Sequence, residues 1–320
     1  MNNQVMEENV TIQGEFKLAG TIARPAIQKR SIPAILILPG TGDSDRDGNG
    51  SKLNMNIYRD LAQALARMGY AVLRFDKRGS HESEGDKYKR GLGDLIDDGA
   101  ACVKFLKGLS YVNEEKIFIL GHSEGTMLAP AVHLREQSAG FILLAGGAIS
   151  MNDVTEWQRE NAYKALAELK GFNGWLIKTF NLVDKAKKKN EKFIAKMMES
   201  DADVMRVAGK KFPAKWMREH FQYIVEEDYA KLDCPILVIG GTKDSQVPES
   251  ALRKVKELSK GETEIHIILN MTHILKKLDG EMDQLNPLKT YKQQMQQPIE
   301  EEMLQYIENW ISKQLILEAV

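Results

Sequence analysis

The sequence has few cysteines and no long hydrophobic run. Its 320 residues include only two cysteines, Cys102 and Cys234, and they do not form a CxxC pair. A disulfide framework or a zinc site is therefore not expected, and both thiols are predicted to be buried and reduced. No stretch approaches the roughly 18 apolar residues of a membrane span, and residues 1–9 lack the apolar run of a signal peptide. These absences predict a soluble, cytoplasmic protein with no membrane partner.

The sequence also lacks an excess of either charge. Lys and Arg together number 44 and Asp and Glu together 45, so the formal net charge is −1. A nucleic-acid partner is not expected, because no overall basic field would attract one. Apolar residues make up 43% of the chain and charged residues 28%, which is typical of a globular protein. The length suits one large α/β domain, or such a domain with an insertion.

The most informative stretch is Gly-His-Ser-Glu-Gly at 121–125, which follows a predicted apolar strand at 116–120. A Gly-x-Ser-x-Gly sequence between a strand and a helix predicts a strained turn that presents the serine hydroxyl above the sheet edge. Its two glycines fit because a side chain at either place would collide with the neighbouring backbone. We therefore predict that Ser123 is a nucleophile. The Glu124 amide, at a helix N-terminus, is predicted to stabilise a developing negative oxygen.

Apolar runs alternate with amphipathic helical patterns through the first half of the chain. Strand, helix, strand, helix and strand in succession predict a mainly parallel, doubly wound sheet of the α/β class. The predicted strands lie at residues 34–38, 70–75, 116–120, 140–145, 234–241 and 263–269, with a hairpin at 9–23, a helix at 249–258 and a closing helix near 298–313.

The alternation stops between residues 150 and 228. This segment has no strand-like run and contains three of the four tryptophans. We predict a helical cap inserted at 150–228 into an α/β core formed by 1–149 and 229–320. Most of its aromatic residues are expected to form the cap's own core, and a minority to cover an apolar pocket above Ser123.

Six histidines compete for the role of general base. His273 follows the final predicted strand, on the sheet edge that carries Ser123, where an imidazole can take the serine proton. His81 stays an alternative because it also follows a strand, although it precedes the nucleophile. Of the other four, His266 lies inside a predicted strand, and His122 lies beside the nucleophile but points away from it. The last two, His133 and His220, lie in helical stretches.

The orienting acid is predicted to be Asp244, which follows the strand before His273. One helix and one strand separate the two residues, so both lie on the same sheet edge, where a carboxylate can fix the imidazole tautomer. Asp233 precedes its strand and would lie at the opposite end. The order Ser123, Asp244, His273 is that of an α/β-hydrolase.

A second oxyanion donor is expected in the loop after the strand at 34–38. Gly40-Thr41-Gly42 can turn its amides inward because of its glycines. We predict the Thr41 amide as the donor, with Gly42 as the alternative. The charged residues that follow, Asp45, Arg46 and Asp47, are expected to brace this loop by ion pairs or to contact the substrate directly.

Several motifs in the core resemble one family. They are Gly-Thr-Gly-Asp-Ser-Asp-Arg-Asp-Gly at 40–48, Asp-Lys-Arg-Gly at 76–79, Gly-His-Ser-Glu-Gly-Thr at 121–126, Gly-Thr-Lys-Asp-Ser-Gln-Val-Pro at 241–248, and the turn at 270–273. The chain resembles α/β-hydrolase serine esterases with a Gly-His-Ser-Glu-Gly motif, a group related to cinnamoyl esterases and acyl-CoA thioesterases. The resemblance implies a mostly parallel, doubly wound eight-stranded sheet with an inserted helical cap.

The same resemblance implies carboxylesterase activity. The expected reaction is cleavage of a small-molecule ester with a short, medium-length or aromatic acyl group, through an acyl-enzyme and without a metal or organic cofactor. Thr126, His81 and Asp43 depart from the family pattern, and the first two are expected to narrow the pocket. The alternatives are an acyl thioesterase or acyl-peptide hydrolase with the same triad, perhydrolysis, and a non-catalytic binding scaffold. The sequence does not fix the oligomeric state.

Overall fold

The computed structural model describes residues 4–26, 31–50 and 53–317, so residues 1–3, 27–30, 51–52 and 318–320 of the predicted core lie outside the described residues. The strands are β1 (Val5–Gln13), β2 (Lys17–Pro25), β3 (Ile32–Leu38), β4 (Asn49–Gly50), β5 (Leu53–Asn54), β6 (Ala71–Phe75), β7 (Val112–His122), β8 (Gly140–Leu144), β9 (Val204–Val207), β10 (Lys210–Pro213), β11 (Ile236–Gly241) and β12 (Thr263–Ile268). The helices are α1 (Ile57–Arg67), α2 (Leu92–Lys107), α3 (Glu124–Arg135), α4 (Met151–Ala167), α5 (Gly171–Thr179), α6 (Leu182–Met198), α7 (Ala214–Gln222), α8 (Val225–Tyr229), α9 (Glu249–Leu258), α10 (Pro287–Gln294) and α11 (Glu301–Leu317).

Eight of the strands form one sheet in the order β1-β2-β6-β3-β7-β8-β11-β12. The pairs from β6 to β12 are all parallel, whereas β2 is antiparallel to both of its neighbours, β1 and β6. The predicted mostly parallel eight-stranded sheet is confirmed, and so is the hairpin at its start. Because parallel strands point the same way, the loops that carry Ser123, Asp244 and His273 emerge at one edge.

The apolar runs of the central strands serve two cores, one on each face of the sheet. In β3, Ala34, Leu36 and Leu38 pack into the first core, and Ile35 and Ile37 pack into the second. Helices α2, α3 and α9 cover the first core, and α1 and α11 cover the second. A strand that is covered on both faces has no polar side to alternate with its apolar one, so the run is continuous.

Residues 150–228, which we call the insertion, lie between β8 and β11 and are largely helical. They also contain the hairpin of β9 and β10, which the sequence pattern did not predict. Part of its aromatic set does form a small core, because Phe193, Phe212 and Phe221 pack around Met197 and Met217. Another pair lies outside that core: Phe172 and Trp175 stack on each other but are 72% and 56% exposed.

None of the helices within the described ranges is both long and apolar enough to cross a bilayer.

Candidate active site

Ser123 lies at the turn between β7 and α3. Its backbone angles are φ 54° and ψ −116°, a strained conformation for a residue with a side chain. A Cβ atom at Gly125 would lie 2.1 Å from the carbonyl oxygen of Leu38, and one at Gly121 would lie 2.5 Å from that of Gly125. Only glycine fits at either position, so the tight turn that the motif predicts is present.

The three residues predicted as nucleophile, base and acid form one hydrogen-bonded chain. Ser123 Oγ lies 3.0 Å from His273 Nε2, and His273 Nδ1 lies 2.9 Å from Asp244 Oδ2. The other carboxylate oxygen of Asp244 accepts the backbone N–H groups of Gln246 and Val247 at 2.7 and 3.1 Å. These two bonds fix the carboxylate so that one oxygen faces the imidazole.

Neighbouring strands bring the acid and the base together. Because β11 and β12 are parallel and adjacent, the loops that follow them run side by side. The Lys243 N–H donates to the Met271 carbonyl at 3.1 Å, and the Asn270 N–H donates to Thr242 Oγ1 at 2.8 Å. These two hydrogen bonds hold the loops of Asp244 and His273 against each other.

A buried chain of hydrogen bonds joins the loop of Gly40 to the loop of His273. The Gly40 N–H donates to the Tyr58 hydroxyl at 2.7 Å, and that hydroxyl lies 2.9 Å from His122 Nδ1. His122 Nε2 lies 2.9 Å from the His273 carbonyl oxygen. Since a carbonyl can only accept, His122 carries its hydrogen on Nε2 and accepts the Tyr58 hydroxyl on Nδ1.

His122 is therefore neutral and structural. Burial, together with the neighbouring His273, lowers the pKa of His122 from 6.5 to about 3. As predicted, His122 points away from Ser123, because its ring nitrogens contact the Tyr58 hydroxyl and the His273 carbonyl instead. The sequence did not indicate that His122 contacts the loop of His273, or that Tyr58 takes part.

Lys77 braces the loop that was predicted to supply the second oxyanion donor. Its Nζ donates to the Gly40 carbonyl at 2.6 Å and to Glu124 Oε2 at 2.6 Å. The Gly40 carbonyl and the Thr41 N–H belong to one planar trans peptide, so they point in opposite directions. By holding the carbonyl, Lys77 turns the Thr41 N–H the other way.

The side chain of Glu124 is fully buried and links the nucleophile turn to α7 in the insertion. Trp216 Nε1 donates to Glu124 Oε1 at 2.8 Å. His220 Nε2 lies 2.9 Å from the same oxygen. Burial alone would raise the pKa of Glu124, but the charge of Lys77 holds it below its usual value. Sequence reasoning used only the Glu124 amide and missed its carboxylate.

A cavity of about 530 Å³ lies above Ser123. Thr41, Glu124 and His273 line it, whereas Gly42, the alternative donor, lines a neighbouring cavity instead. Most of its other walls are apolar and come from the insertion, from the β5–α1 region and from the segment around α10: Met151, Val154, Trp216, Leu53, Met55, Ile57, Ile274, Leu288 and Tyr291.

The remaining histidines are engaged away from Ser123. His81 is exposed, with Nε2 3.3 Å from the Asp43 carbonyl. His266 stacks on Tyr306 with ring centroids 3.7 Å apart. His220 hydrogen-bonds to the Trp216 carbonyl, and His133 hydrogen-bonds to Ser138.

Ion pairs brace the loop at 40–48, as predicted. Arg46 pairs with Asp76 at 2.7 Å, and Asp47 pairs with Arg74 at 2.7 Å. Thr126, one of the departures from the family pattern, lines the cavity and donates its hydroxyl to the Ser123 carbonyl at 2.7 Å.

A sequence model of the hydrolase family described as "Serine aminopeptidase, S33" matches residues 49–277. The chain belongs to this α/β-hydrolase family. Family membership accounts for the sheet and for the turn at Ser123, but its members' substrates do not follow from it.

Known relatives support the assignment to this family. The chain is 29% identical to Esterase EstD of Thermotoga maritima over 277 residues, which are 84% of this chain and 60% of that protein. It thus spans about 60% of the length of this relative.

Solved structures share the fold. Est1E from Butyrivibrio proteoclasticus is 18% identical, with a TM-score of 0.59, covering 96% of this chain and 99% of that one. Proline iminopeptidase from Mycobacterium smegmatis is 14% identical, with a TM-score of 0.62, covering 97% of this chain and 100% of that one. At these identities the likeness concerns the fold alone.

Proposed function

We propose that this α/β hydrolase cleaves carboxylic esters through an acyl-enzyme on Ser123. The observation that carries the proposal is the hydrogen-bonded chain from Ser123 through His273 to Asp244, with 3.0 and 2.9 Å between its heavy atoms. It lies at an apolar cavity.

In the first half of the reaction, Ser123 Oγ attacks the ester carbonyl carbon while its proton passes to His273 Nε2. Asp244 keeps a hydrogen on Nδ1 and stabilises the imidazolium that forms. The tetrahedral intermediate collapses when His273 returns the proton to the leaving alkoxide. The alcohol departs and the acyl group stays on Ser123.

In the second half, a water molecule takes the place of the alcohol. His273 accepts a proton from this water, whose oxygen attacks the acyl carbon. Collapse of the second tetrahedral intermediate returns the proton to Ser123 Oγ and releases the carboxylic acid. The net reaction adds one water across the ester bond.

The Thr41 and Glu124 N–H groups are proposed to hold the oxygen of each tetrahedral intermediate. Two observations support this. Both residues line the cavity with Ser123, and Lys77 contacts the Gly40 carbonyl and the Glu124 carboxylate at once. One buried cation therefore fixes the two backbone segments that carry the donors, so little reorganisation is needed when charge develops.

The insertion is proposed to act as a cap that selects the acyl group. Met151, Val154 and Trp216 come from the insertion and line the cavity. Apolar walls desolvate and bind hydrocarbon in proportion to the area buried. A cavity of this size, about 530 Å³, suits short to medium acyl chains or aromatic acids.

An amide-cleaving aminopeptidase is the alternative that the family description suggests. Such an enzyme has to bind a protonated α-amino group, and burying that charge requires an acidic partner. Within the described part of the chain, Glu124 is the only carboxylate that lines the cavity, and Lys77 already pairs with it. This favours an ester over an aminopeptidase substrate. A thioester uses the same machinery.

Hydrolysis of p-nitrophenyl butyrate by the wild type, Ser123→Ala and the exposed control Ser110→Ala tests the proposal. Removing the nucleophile of such a triad typically lowers kcat by about a million-fold, whereas Ser110→Ala should keep wild-type turnover. Matched thioester and amide substrates rank the three reaction classes. Full turnover by Ser123→Ala would exclude the mechanism, and failure of the wild type to turn over any of the three would favour a binding scaffold.

A further inference from the structure

A second cavity, of about 290 Å³, adjoins the catalytic one. Thr41 and Trp216 line both cavities, so they form part of the wall between them. Four charged side chains line the second cavity, and three of them are cations: Lys77, Lys87, Arg90 and Asp43. A site of this composition favours a negatively charged group next to the proposed oxyanion donor.

The charges of this cavity do not balance. Lys77 pairs with Glu124 and Lys87 pairs with Asp43. Arg90 has no carboxylate within ion-pair distance in the described ranges, although it is only 8% exposed to solvent. One buried positive charge is left without a counterion.

Arg90 also has hydrogen-bonding capacity to spare. Its Nη1 donates to the Arg78 carbonyl at 3.0 Å and to Ser80 Oγ at 2.7 Å, and its Nη2 donates to the Gly42 carbonyl at 3.2 Å. A guanidinium has five N–H donors, so Nε–H and one Nη2–H have no protein acceptor among the described residues. Two N–H groups on adjacent nitrogens match the two oxygens of a carboxylate.

We propose that the second cavity binds a carboxylate group carried by the substrate, with Arg90 as its principal ligand, so that the enzyme prefers monoanionic esters. A carboxylate matches the single excess charge. A phosphate monoester carries about −1.5 to −2 at neutral pH and would leave negative charge unpaired. Burial lowers the pKa of Arg90, only partly offset by Glu124 and Asp43, and a bound anion would relieve this cost. The inference rests on the proposed ester hydrolysis.

Two matched pairs of esters test the preference on either side of the scissile bond. Mono-p-nitrophenyl adipate against p-nitrophenyl hexanoate places the carboxylate on the acid side. 3-Carboxyphenyl butyrate against phenyl butyrate places it on the alcohol side. The quantity measured is the ratio of kcat/KM for the anionic ester to that for the neutral ester, which cancels any general effect of a substitution on the site.

For at least one pair we expect Arg90→Gln to lower this ratio on the order of tenfold, the effect of losing one charge-assisted hydrogen bond. Lys87→Glu, at the more exposed side of the cavity, should lower the same ratio and serves if Arg90→Gln does not fold. Lys89→Glu is the matched control, because Lys89 is exposed and does not line the cavity. Its ratio should stay at the wild-type value.

The outcomes separate this inference from the proposed function. If the wild type hydrolyses the neutral esters but the ratios are the same in Arg90→Gln and Lys87→Glu as in the wild type, the carboxylate site is excluded and ester hydrolysis stands. An equal fall in Lys89→Glu would likewise exclude it, since the effect would then be long-range. If the wild type hydrolyses no ester of either pair, the proposed function fails, and this inference with it.

Discussion

Lys77 contacts both of the backbone segments that carry the proposed oxyanion donors. Its ammonium group holds the Gly40 carbonyl and the Glu124 carboxylate. Neither contact could be inferred from the Asp-Lys-Arg-Gly motif alone, because the three residues follow different strands and meet only in the fold. The motif identified the position of the lysine in the chain but not which groups its side chain contacts.

Lys77→Met should lower kcat with little change in KM, since the donors act on charge that exists only in the transition state. We expect a loss on the order of the hundredfold that follows removal of one oxyanion donor. The double variant Lys77→Met with Glu124→Gln removes both charges of this buried pair, so neither partner is left buried without the other. It therefore separates loss of bracing from loss of fold. Wild-type kcat in a folded double variant would contradict the assignment.

His122 provides a test of the pH dependence of stability. Its pKa in the folded protein is about 3, against 6.5 for the unperturbed group. Between these values the unfolded chain binds a proton that the native state does not, so the contribution of His122 to stability is complete above pH 6.5 and is lost as the pH falls.

Urea unfolding of the wild type and of His122→Gln, at about pH 7.5 and about pH 5, measures this contribution. The advantage of the wild type over the variant should shrink by up to about 1.4 kcal/mol per pH unit below the unperturbed pKa. The variant lacks the titrating group, so the contributions of the carboxylates and of the other histidines cancel when the two proteins are compared. A difference that does not change with pH would contradict a buried neutral His122.

At the scale of elements, continuous apolar runs identified the central strands because helices cover both faces of the sheet. The predicted helix at 249–258 corresponds to α9 (Glu249–Leu258) in the structure. The hairpin of β9 and β10 escaped prediction because its strands have only four residues each, too few to show a clear strand pattern. Helix α10 lies in a polar stretch without periodicity, so no sequence pattern predicted it.

The ion pair between Arg78 and Asp98 ties the loop after β6 to α2. The guanidinium contacts both carboxylate oxygens, at 2.9 and 2.6 Å, and Asp98 is 1% exposed. Arg78→Met leaves this carboxylate buried and unpaired, which typically costs about 3–5 kcal/mol. We therefore expect a loss of that order in the free energy of unfolding.

Arg135→Met is the matched control, because Arg135 pairs at an exposed site with Asp97, the residue just before Asp98 in α2. Exposed pairs are worth about 1 kcal/mol or less. Chemical denaturation of the two variants decides between the buried and exposed cases. Equal losses of stability would show that burial of Asp98 has no special energetic role.

At the scale of the whole molecule, the proposed site joins parts of the chain that lie far apart in sequence. Parallel strands deliver Ser123, Asp244 and His273 to one edge, which is why spacing and order alone sufficed to predict their convergence. The contact of Trp216 with Glu124 could not be predicted in this way. It depends on how the insertion packs on the core, and no periodic pattern encodes that packing.

The central claim is that Ser123 is a nucleophile activated by His273. Reaction with a fluorophosphonate, followed by peptide mapping by mass spectrometry, tests it most directly, with His273→Ala as the comparison. We predict one adduct per chain, located on Ser123, whose formation parallels the loss of activity. In His273→Ala the rate of adduct formation should fall on the order of a hundredfold or more. An adduct on another residue, or complete loss of activity with Ser123 unmodified, would contradict the account.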